Sequence, residues 1–599
     1  MSDACTARSV QCRAERSLLY PTPPVMSALP SSGYPYNLGR AQSRSITTSS
    51  SEAQKWFDYG LIWCYAFHHE EAIRCFEQCT YHDPDAVMGY WGIAYALGGD
   101  YNHQWMLFGV GEIDMVLPRI KEAVGNGNKA TGASKLERAL MNALDARMPA
   151  NEEDRDYAAW DKRYMDAMRA IYEENPDDLD IAALYAESMM IQTPWNLWNL
   201  HTGEPTPGSY TLEIERVIEK ALLEPGSNTH AGLLHFYVHL EEMSQHPEKA
   251  VVAGDKLLHL VPDGGHSTHM PSHLDILIGD YRRAITSNAL AIEADTKYIN
   301  IHGLDGFFTT YALHNYNSLI YAAMFNGQSK VALRYTTEME RLLASDWCHS
   351  VHGDFMEAAG ATRVHVLVRF GLWADLIQIA LPADPVTYSV TTAFVHYGKG
   401  IAHAALNQID KAQEQQKLYL EAIARVPSTR LVFPNKASEV FKIGTAMLSG
   451  EIEYRRGQPE IAFNHLRDSI TYYDALQYSE PWGWMQPTRH TYAALKLEQG
   501  QVEEAMEVYA EDLGLSGKLA RSFWHPKNVW ALHGYYECLK RLGKDGGGEG
   551  RWVKGELGLA LEVADIEIES SCFCRMDVKK EEEVKVDVNE KAKAGCCTV

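Results

Sequence analysis

Histidines are concentrated in one stretch of the chain, where their spacing suits metal ligation. Eight of the 24 histidines fall within residues 230–273. The stretch contains two HxxxH elements, His235/His239 and His269/His273. Positions i and i+4 share one face of a helix, so each element can present two imidazoles together. Such a group of neutral imidazoles is a ligand set for transition metals.

The separation of the two elements indicates a repeat. Each histidine of the second element follows its counterpart in the first by 34 residues, and Ala284 follows Ala250 by the same interval. Glu242 continues the helical face of the first element. Equal spacing places the two elements at equivalent positions of neighbouring structural units, so we expect their side chains to converge.

The units that must position these histidines are helical hairpins. Residues 56–84 carry aromatic and small residues on the facing sides of two helices and a closing proline, at Trp56, Gly60, Trp63, Ala72, Phe76 and Pro84. This pattern resembles the tetratricopeptide repeat, whose period is about 34 residues. A turn residue followed five places later by alanine recurs at Gly279/Ala284, Gly327/Ala332, Asn407/Ala412, Gly457/Ala462 and Gly500/Ala505.

Helical periodicity continues between these landmarks, and strand-like alternation is absent from the sequence. The sequence therefore predicts an all-α protein, and the resemblance implies a right-handed α-solenoid of tetratricopeptide-like hairpins with irregular insertions. We expect a disordered leader over 1–50, the repeat domain over 51–565, and a disordered charged tail over 566–599. The motifs PWNLW, HMPSH and EPWGW also resemble an uncharacterised group of tetratricopeptide proteins from bacteria and fungi. That resemblance implies the fold and no particular activity.

The resemblance also implies which side chains line the concave groove. The family's groove-facing positions fall on three residues in each of three successive repeats: His235, His239 and Glu242; His266, His269 and His273; His314, Asn317 and Tyr321. Pro271 is tolerated only in the first turn of a helix, so we expect His269 to begin its helix.

These residues predict a metal site of catalytic type, held by three histidines, or by two histidines and a glutamate, with one position left open. The histidines of the first two repeats would be the ligands, and Glu242 a ligand or general base. Zn, Fe or Mn are the metals expected. A two-metal site would suit hydrolysis, and a facial site with iron would suit oxygen chemistry; both remain open. Trp195 and Trp198, in a loop that could cover the groove, and His490, at a groove-facing position, are further candidate ligand contacts. They join His314, Asn317 and Tyr321.

A second interpretation is a scaffold that holds a peptide or partner protein in the same groove without metal. The net charge of −24 disfavours nucleic acid, and no apolar run is long enough to span a membrane. Scattered cysteines and the lack of a secretory signal predict a cytoplasmic protein. The terminal CCTV resembles a prenylation signal at Cys596, with a plain disordered tail as the alternative.

Overall fold

The computed structural model describes residues 29–575, except 110, 150, 152, 305, 344–352 and 433. Consecutive helices in this part of the chain pack in pairs, so that the fold is a series of hairpins. The first six pairs are α1 (Ser51–Tyr65) with α2 (His69–His82), α3 (Val87–Ala96) with α4 (Glu112–Lys129), α5 (Lys135–Arg147) with α6 (Tyr157–Glu174), α7 (Leu179–Met190) with α8 (Thr211–Leu222), α9 (Ala231–Glu241) with α10 (Val251–Leu257), and the interrupted α11 (Gly265–His269) and α12 (Pro271–Ile278) with α13 (Tyr281–His302).

The second half continues the series. Its helices are α14 (Phe308–Phe325) with α15 (Ser329–Leu342), a single-turn α16 (Gly353–Met356), α17 (Thr362–Arg369) with α18 (Trp373–Gln378), α19 (Ser389–Ala405) with α20 (Ile409–Ile423), α21 (Ala437–Arg455) with α22 (Pro459–Asp474), α23 (Thr488–Glu498) with α24 (Val502–Asp512), and α25 (Val529–Arg541) with α26 (Gly548–Leu561). Within the described residues, the strands are β1 (Leu431–Val432) and β2 (Asn435–Lys436), which pair antiparallel. The predicted all-α helical-repeat fold is confirmed.

Small residues allow the helices of a hairpin to approach closely. A side chain at Gly60 of α1 would place its Cβ 2.6 Å from the ring of Phe76 on α2. At the other end of the chain, a Cβ at Gly534 would lie 2.2 Å from the ring of Tyr509. Tyr509 lies on α24 and Gly534 on α25, so this second contact joins neighbouring hairpins. In both places the aromatic ring occupies the space that glycine leaves.

The series of hairpins folds back on itself. In the last hairpin, the Trp530 indole donates to the carbonyl of Met324 at 2.7 Å. Asp565 accepts from the backbone N–H of Ser329 at 2.7 Å, at the start of α15. These contacts join hairpins far apart in sequence, which encloses the helices between them.

Parts of the predicted leader and tail are folded. Leu29 accepts from the Trp56 indole at 3.0 Å, and Tyr34 donates to Glu71 at 2.8 Å. Arg575 pairs with Glu537 at 2.8 Å. Described residues of both flanking segments therefore contact the helices of the repeat region. Residues 1–28 and Cys596 lie outside the described residues.

No described helix combines the length and the apolar character needed to cross a lipid bilayer.

Candidate metal and ligand site

Helix α9 and the pair α11–α12 belong to neighbouring hairpins and bring the two HxxxH elements together. His230 caps α9, since its Nδ1 accepts from the backbone N–H of Leu233 at 3.1 Å. Asp180 holds the other ring nitrogen of His230 at 3.1 Å. The start of α9 is thereby fixed, and its residues 235 and 239 face the middle of the molecule.

The second element differs from expectation in one respect. Pro271 opens α12, as predicted, but His269 is the last residue of the preceding α11 and not the first of its helix. The missing N–H of the proline divides one helix into two. His269 and His273 nevertheless lie 4.7 Å apart between ring centroids.

Six histidines form what we call the histidine cluster: His235, His239, His266, His269, His273 and His314. Its members come from α9, α11, α12 and α14. The cluster divides into two trios, and in each trio one ring nitrogen per histidine lies within 4.8 Å of the others.

The first trio consists of His235, His239 and His266, all 4% exposed or less. His235 Nδ1 is 2.7 Å from the Tyr65 carbonyl, which is one of the open carbonyls at the C-terminus of α1. His239 Nδ1 is 2.9 Å from Glu242. Among the described residues, His235 Nε2, His239 Nε2 and both nitrogens of His266 have no hydrogen-bond partner. Buried polar atoms usually have a hydrogen-bond partner, and a bound water molecule or ion could supply it here.

The second trio brings three Nε2 atoms together. His269 Nε2 lies 2.7 Å from that of His273 and 2.9 Å from that of His314. His269 Nδ1 is held by the Asn288 side-chain oxygen at 2.6 Å. Glu242 holds His273 Nδ1 through its second carboxylate oxygen.

These outer partners determine where the protons are. The Asn288 amide nitrogen donates to the Ala284 carbonyl at 2.8 Å, so its oxygen faces His269 and accepts from Nδ1–H. The carboxylate of Glu242 likewise accepts from His273 Nδ1–H. Both neutral rings then direct an Nε2 lone pair at the other, which is repulsive unless a cation lies between them. Two nitrogens on one tetrahedral Zn²⁺ are about 3.3 Å apart, so a small relaxation accommodates an ion.

Burial keeps the cluster neutral. It lowers the pKa of His239 to about 3 and that of His269 to about 4. For the other four imidazoles, burial and the neighbouring rings lower the pKa well below the ordinary value of 6.5. A neutral imidazole offers a lone pair, so all six rings are in the protonation state that a metal requires.

Glu480 is a site residue that the sequence reasoning missed. Its carboxyl group lies 3.6 Å from His273 Nδ1 and shares a hydrogen bond with Glu242. Burial raises the pKa of both carboxyl groups, so the pair holds a proton between them. In the sequence, Glu480 belongs to the EPWGW motif, which indicates no role at a metal site. It is far from the histidine stretch in sequence, and no repeat period relates it to Glu242.

A cavity of about 180 Å³ adjoins the second trio. His314, Asn317 and Trp195 line it, as their predicted role as ligand contacts requires. Glu480 lines it too, which connects the cavity to the partners of the histidine cluster.

Three predicted ligand contacts lie elsewhere. Trp198 donates to the Leu240 carbonyl at 2.7 Å. Tyr321 is 1% exposed and packs against Phe325, with ring centroids 4.5 Å apart. His490 belongs to another buried group. These three side chains do not line the cavity because each faces the packing between helices.

His490 belongs to what we call the Asp512 centre: Asp512, His490, His525 and Asn528. Asp512 accepts from His490 Nε2 and His525 Nδ1, each at 2.8 Å, and from Asn528 at 3.0 Å. Arg369 donates to His490 Nδ1 at 3.0 Å. Every ring nitrogen here has a partner, since His525 Nε2 lies 3.3 Å from the Tyr473 hydroxyl.

No protein family model matches the chain, and no curated protein matches it. Among solved structures, the yeast Tom70 is similar at 12% sequence identity over 85% of this chain and 92% of that one, with a TM-score of 0.28. The APC/C hetero-tetramer Cut9–Hcn1 is similar at 12% identity over 87% of this chain and 89% of that one, with a TM-score of 0.27.

Proposed function

We propose that the chain binds two transition-metal ions, one in each trio of the histidine cluster, and presents them to a small molecule in the adjoining cavity. The observation that carries this proposal is the set of buried Nε2 atoms that either lack a partner in the described structure or face one another. In four of the six histidines, His235, His239, His269 and His273, Nδ1 is held by an oxygen acceptor, as is usual for metal-bound histidines.

The donor set narrows the choice of metal. Imidazole suits Zn, Fe, Cu and Ni, whereas Mn prefers oxygen ligands. Three histidines per ion leave a coordination position open, which is typical of catalytic and not of structural sites. A metal-dependent hydrolysis or an oxygen-dependent reaction would both use such a pair.

We assign Glu242 a role other than the metal ligand or general base that the sequence predicts. Its two carboxylate oxygens lie against Nδ1 of His239 and of His273, on the side of each ring away from Nε2. We therefore assign it as a positioning residue that fixes the tautomers of one histidine in each trio. In this arrangement it is neither a metal ligand nor a general base.

The alternative, a scaffold that holds a peptide or partner protein, would use a surface outside the histidine cluster. The five cluster histidines other than His314 are 4% exposed or less. A groove that holds a chain segment must expose its contact residues, so a partner protein would have to use another surface.

The test is a spectroscopic titration of metal-free protein with Co²⁺, whose absorption reports coordination by nitrogen. We expect two ions per chain in the parent. His235→Ala and His314→Ala should each lose one ion, from the first and second trio respectively. His246→Ala is the matched control, because its side chain is 65% exposed and lies in the same stretch.

The proposal fails if the folded parent takes up no Co²⁺ or Zn²⁺. It also fails if both alanine variants bind as much metal as the His246→Ala control.

A further inference from the structure

The cavity beside the second trio is built for a flat apolar molecule. Its lining is mainly aromatic and apolar, and ring side chains enter it from several segments: Phe307, Tyr311, Phe355, Phe394 and Trp482. Aromatic side chains pack favourably against other rings in stacked or edge-to-face arrangements.

The cavity's size limits the ligand. Its volume is about 180 Å³, whereas pockets for drug-sized molecules are roughly 300–1,000 Å³. An apolar cavity of about 150 Å³ accepts benzene. One or two fused rings with a small substituent therefore fit, and a peptide segment does not.

The charge of the lining excludes anions. Among the described residues that line the cavity, none is lysine or arginine. In the metal-free protein, a carboxylate or phosphate would enter without a counter-charge and lose its hydration, which is costly.

Two buried polar atoms of residues that line the cavity are available to hydrogen-bond with a polar group of a ligand. Glu480 Oε1 and His365 Nδ1 have no hydrogen-bond partner within the described structure. Glu480 is 9% exposed and His365 is 3% exposed. Because Glu480 also lies 3.6 Å from His273, a ligand bonded to it has its polar end towards the histidine cluster.

We propose that this cavity binds a small neutral aromatic molecule that carries a hydroxyl or N–H group, such as a phenol. The molecule's role as the partner of the metal ions rests on the proposed function. Its recognition by the cavity rests on shape, charge and the unpartnered atoms alone.

The experiment uses calorimetry to compare the binding of 2-naphthol and 2-naphthoate. These two molecules differ in one substituent and in charge. Both metal-free and metal-loaded protein are titrated. We expect 2-naphthol to bind both forms. In the metal-free protein, 2-naphthoate should bind at least about tenfold more weakly, because nothing in the lining neutralises its carboxylate.

Two variants locate the binding. Ala359→Phe places a ring in the cavity that Ala359 lines and should weaken 2-naphthol binding at least about tenfold. Ala424→Phe is the matched control at an exposed position outside the cavity and should bind as the parent does.

Equal or tighter binding of 2-naphthoate to the metal-free protein would overturn the inference. So would a failure of both probes to bind, or unchanged 2-naphthol binding in a folded Ala359→Phe variant. The Co²⁺ titration is a separate readout, so 2-naphthol binding to a protein that takes up no metal would remove the metal proposal and leave the cavity's specificity in place.

Discussion

Two buried groups of histidines in this chain differ in how their ring nitrogens are satisfied. In the Asp512 centre, both nitrogens of His490 and of His525 have partners. In the histidine cluster, Nε2 atoms either have no partner among the described residues or face one another. The first group is complete as folded, whereas the ring nitrogens of the second form the donor set on which the metal proposal rests.

The two groups also differ in charge. Burial alone would raise the pKa of Asp512, but His490 and His525 lower it well below its ordinary range. The carboxylate is therefore charged and neutralised by its surroundings. The histidine cluster has neutral rings with their lone pairs directed inward, together with a carboxyl pair that burial keeps partly protonated. Under the metal proposal, two ions would accept these lone pairs.

The role of a buried histidine is therefore indicated by the partners of its ring nitrogens and not by its burial. His490 and His235 are 1% and 0% exposed. Only the surrounding acceptors and donors separate a structural role from a binding one.

The largest expected effect is a loss of folding stability when Asp512 is removed from the Asp512 centre. Asp512→Ala leaves the donors of His490, His525 and Asn528 facing a void. Removing one partner of a buried charged group costs about 3–5 kcal/mol, which urea unfolding followed by circular dichroism would measure. Metal uptake of the folded fraction should equal that of the parent. Asp410→Asn, at an exposed position, is the control. A stability loss below about 1 kcal/mol would contradict the structural role.

The next effect concerns Glu242→Gln in the histidine cluster. An amide has one acceptor oxygen and one donor nitrogen, so it can serve His239 or His273 in the present tautomer but not both. We expect one of the two Co²⁺ ions to bind about 10–100-fold more weakly while the other is little changed. The titration would then separate into two phases. Equal weakening of both ions, or of neither, would show that Glu242 does not set the tautomers.

A smaller effect follows from the pH dependence of the Asp512 centre. The pKa of Asp512 is lowered in the fold, while in the unfolded chain it is about 3.9. Below that pH the unfolded chain binds a proton that the folded chain does not. The free energy of unfolding therefore decreases by up to about 1.4 kcal/mol for each unit by which the pH is lowered. Asp512→Asn lacks this contribution. The difference in urea midpoint between parent and variant should be constant from about pH 5 to 7 and narrow below about pH 4. A difference that grows in acid would contradict the sign.

The smallest expected effect comes from a substitution that leaves one ring nitrogen of the Asp512 centre without a partner, as in the histidine cluster. Tyr473→Phe removes the hydroxyl 3.3 Å from His525 Nε2 and leaves that nitrogen unpartnered. We expect a loss of about 1 kcal/mol in urea unfolding, since one hydrogen bond is removed. The variant should not gain a Co²⁺ site, because its single free nitrogen has no second imidazole directed at it. A new Co²⁺ band would show that an unpartnered nitrogen alone is sufficient.

The repeat period was enough to predict most of the histidine cluster. The 34-residue spacing placed α9 beside α11–α12, and the structure brings His235, His239, His269 and His273 together. A helical hairpin is a local unit. Its sequence therefore indicates both where its helices lie and which of their residues are equivalent in neighbouring hairpins.

The sequence did not predict contacts that depend on the path of the whole chain. Glu480 and the Tyr65 carbonyl reach the cluster from distant hairpins, and nothing in their local sequence indicates it. His490 occupies a position like that of a groove residue, yet Asp512 and Arg369 satisfy it. Such partners arise from tertiary packing, which no spacing rule contains.

The most direct test of the central claim is elemental analysis of the untagged protein beside a His235→Ala/His269→Ala double variant, which removes one histidine from each trio. The account predicts two transition-metal ions per chain in the parent and none in the folded variant. Little metal in both proteins, even after incubation with Zn²⁺, Fe²⁺ and Cu²⁺, would contradict it.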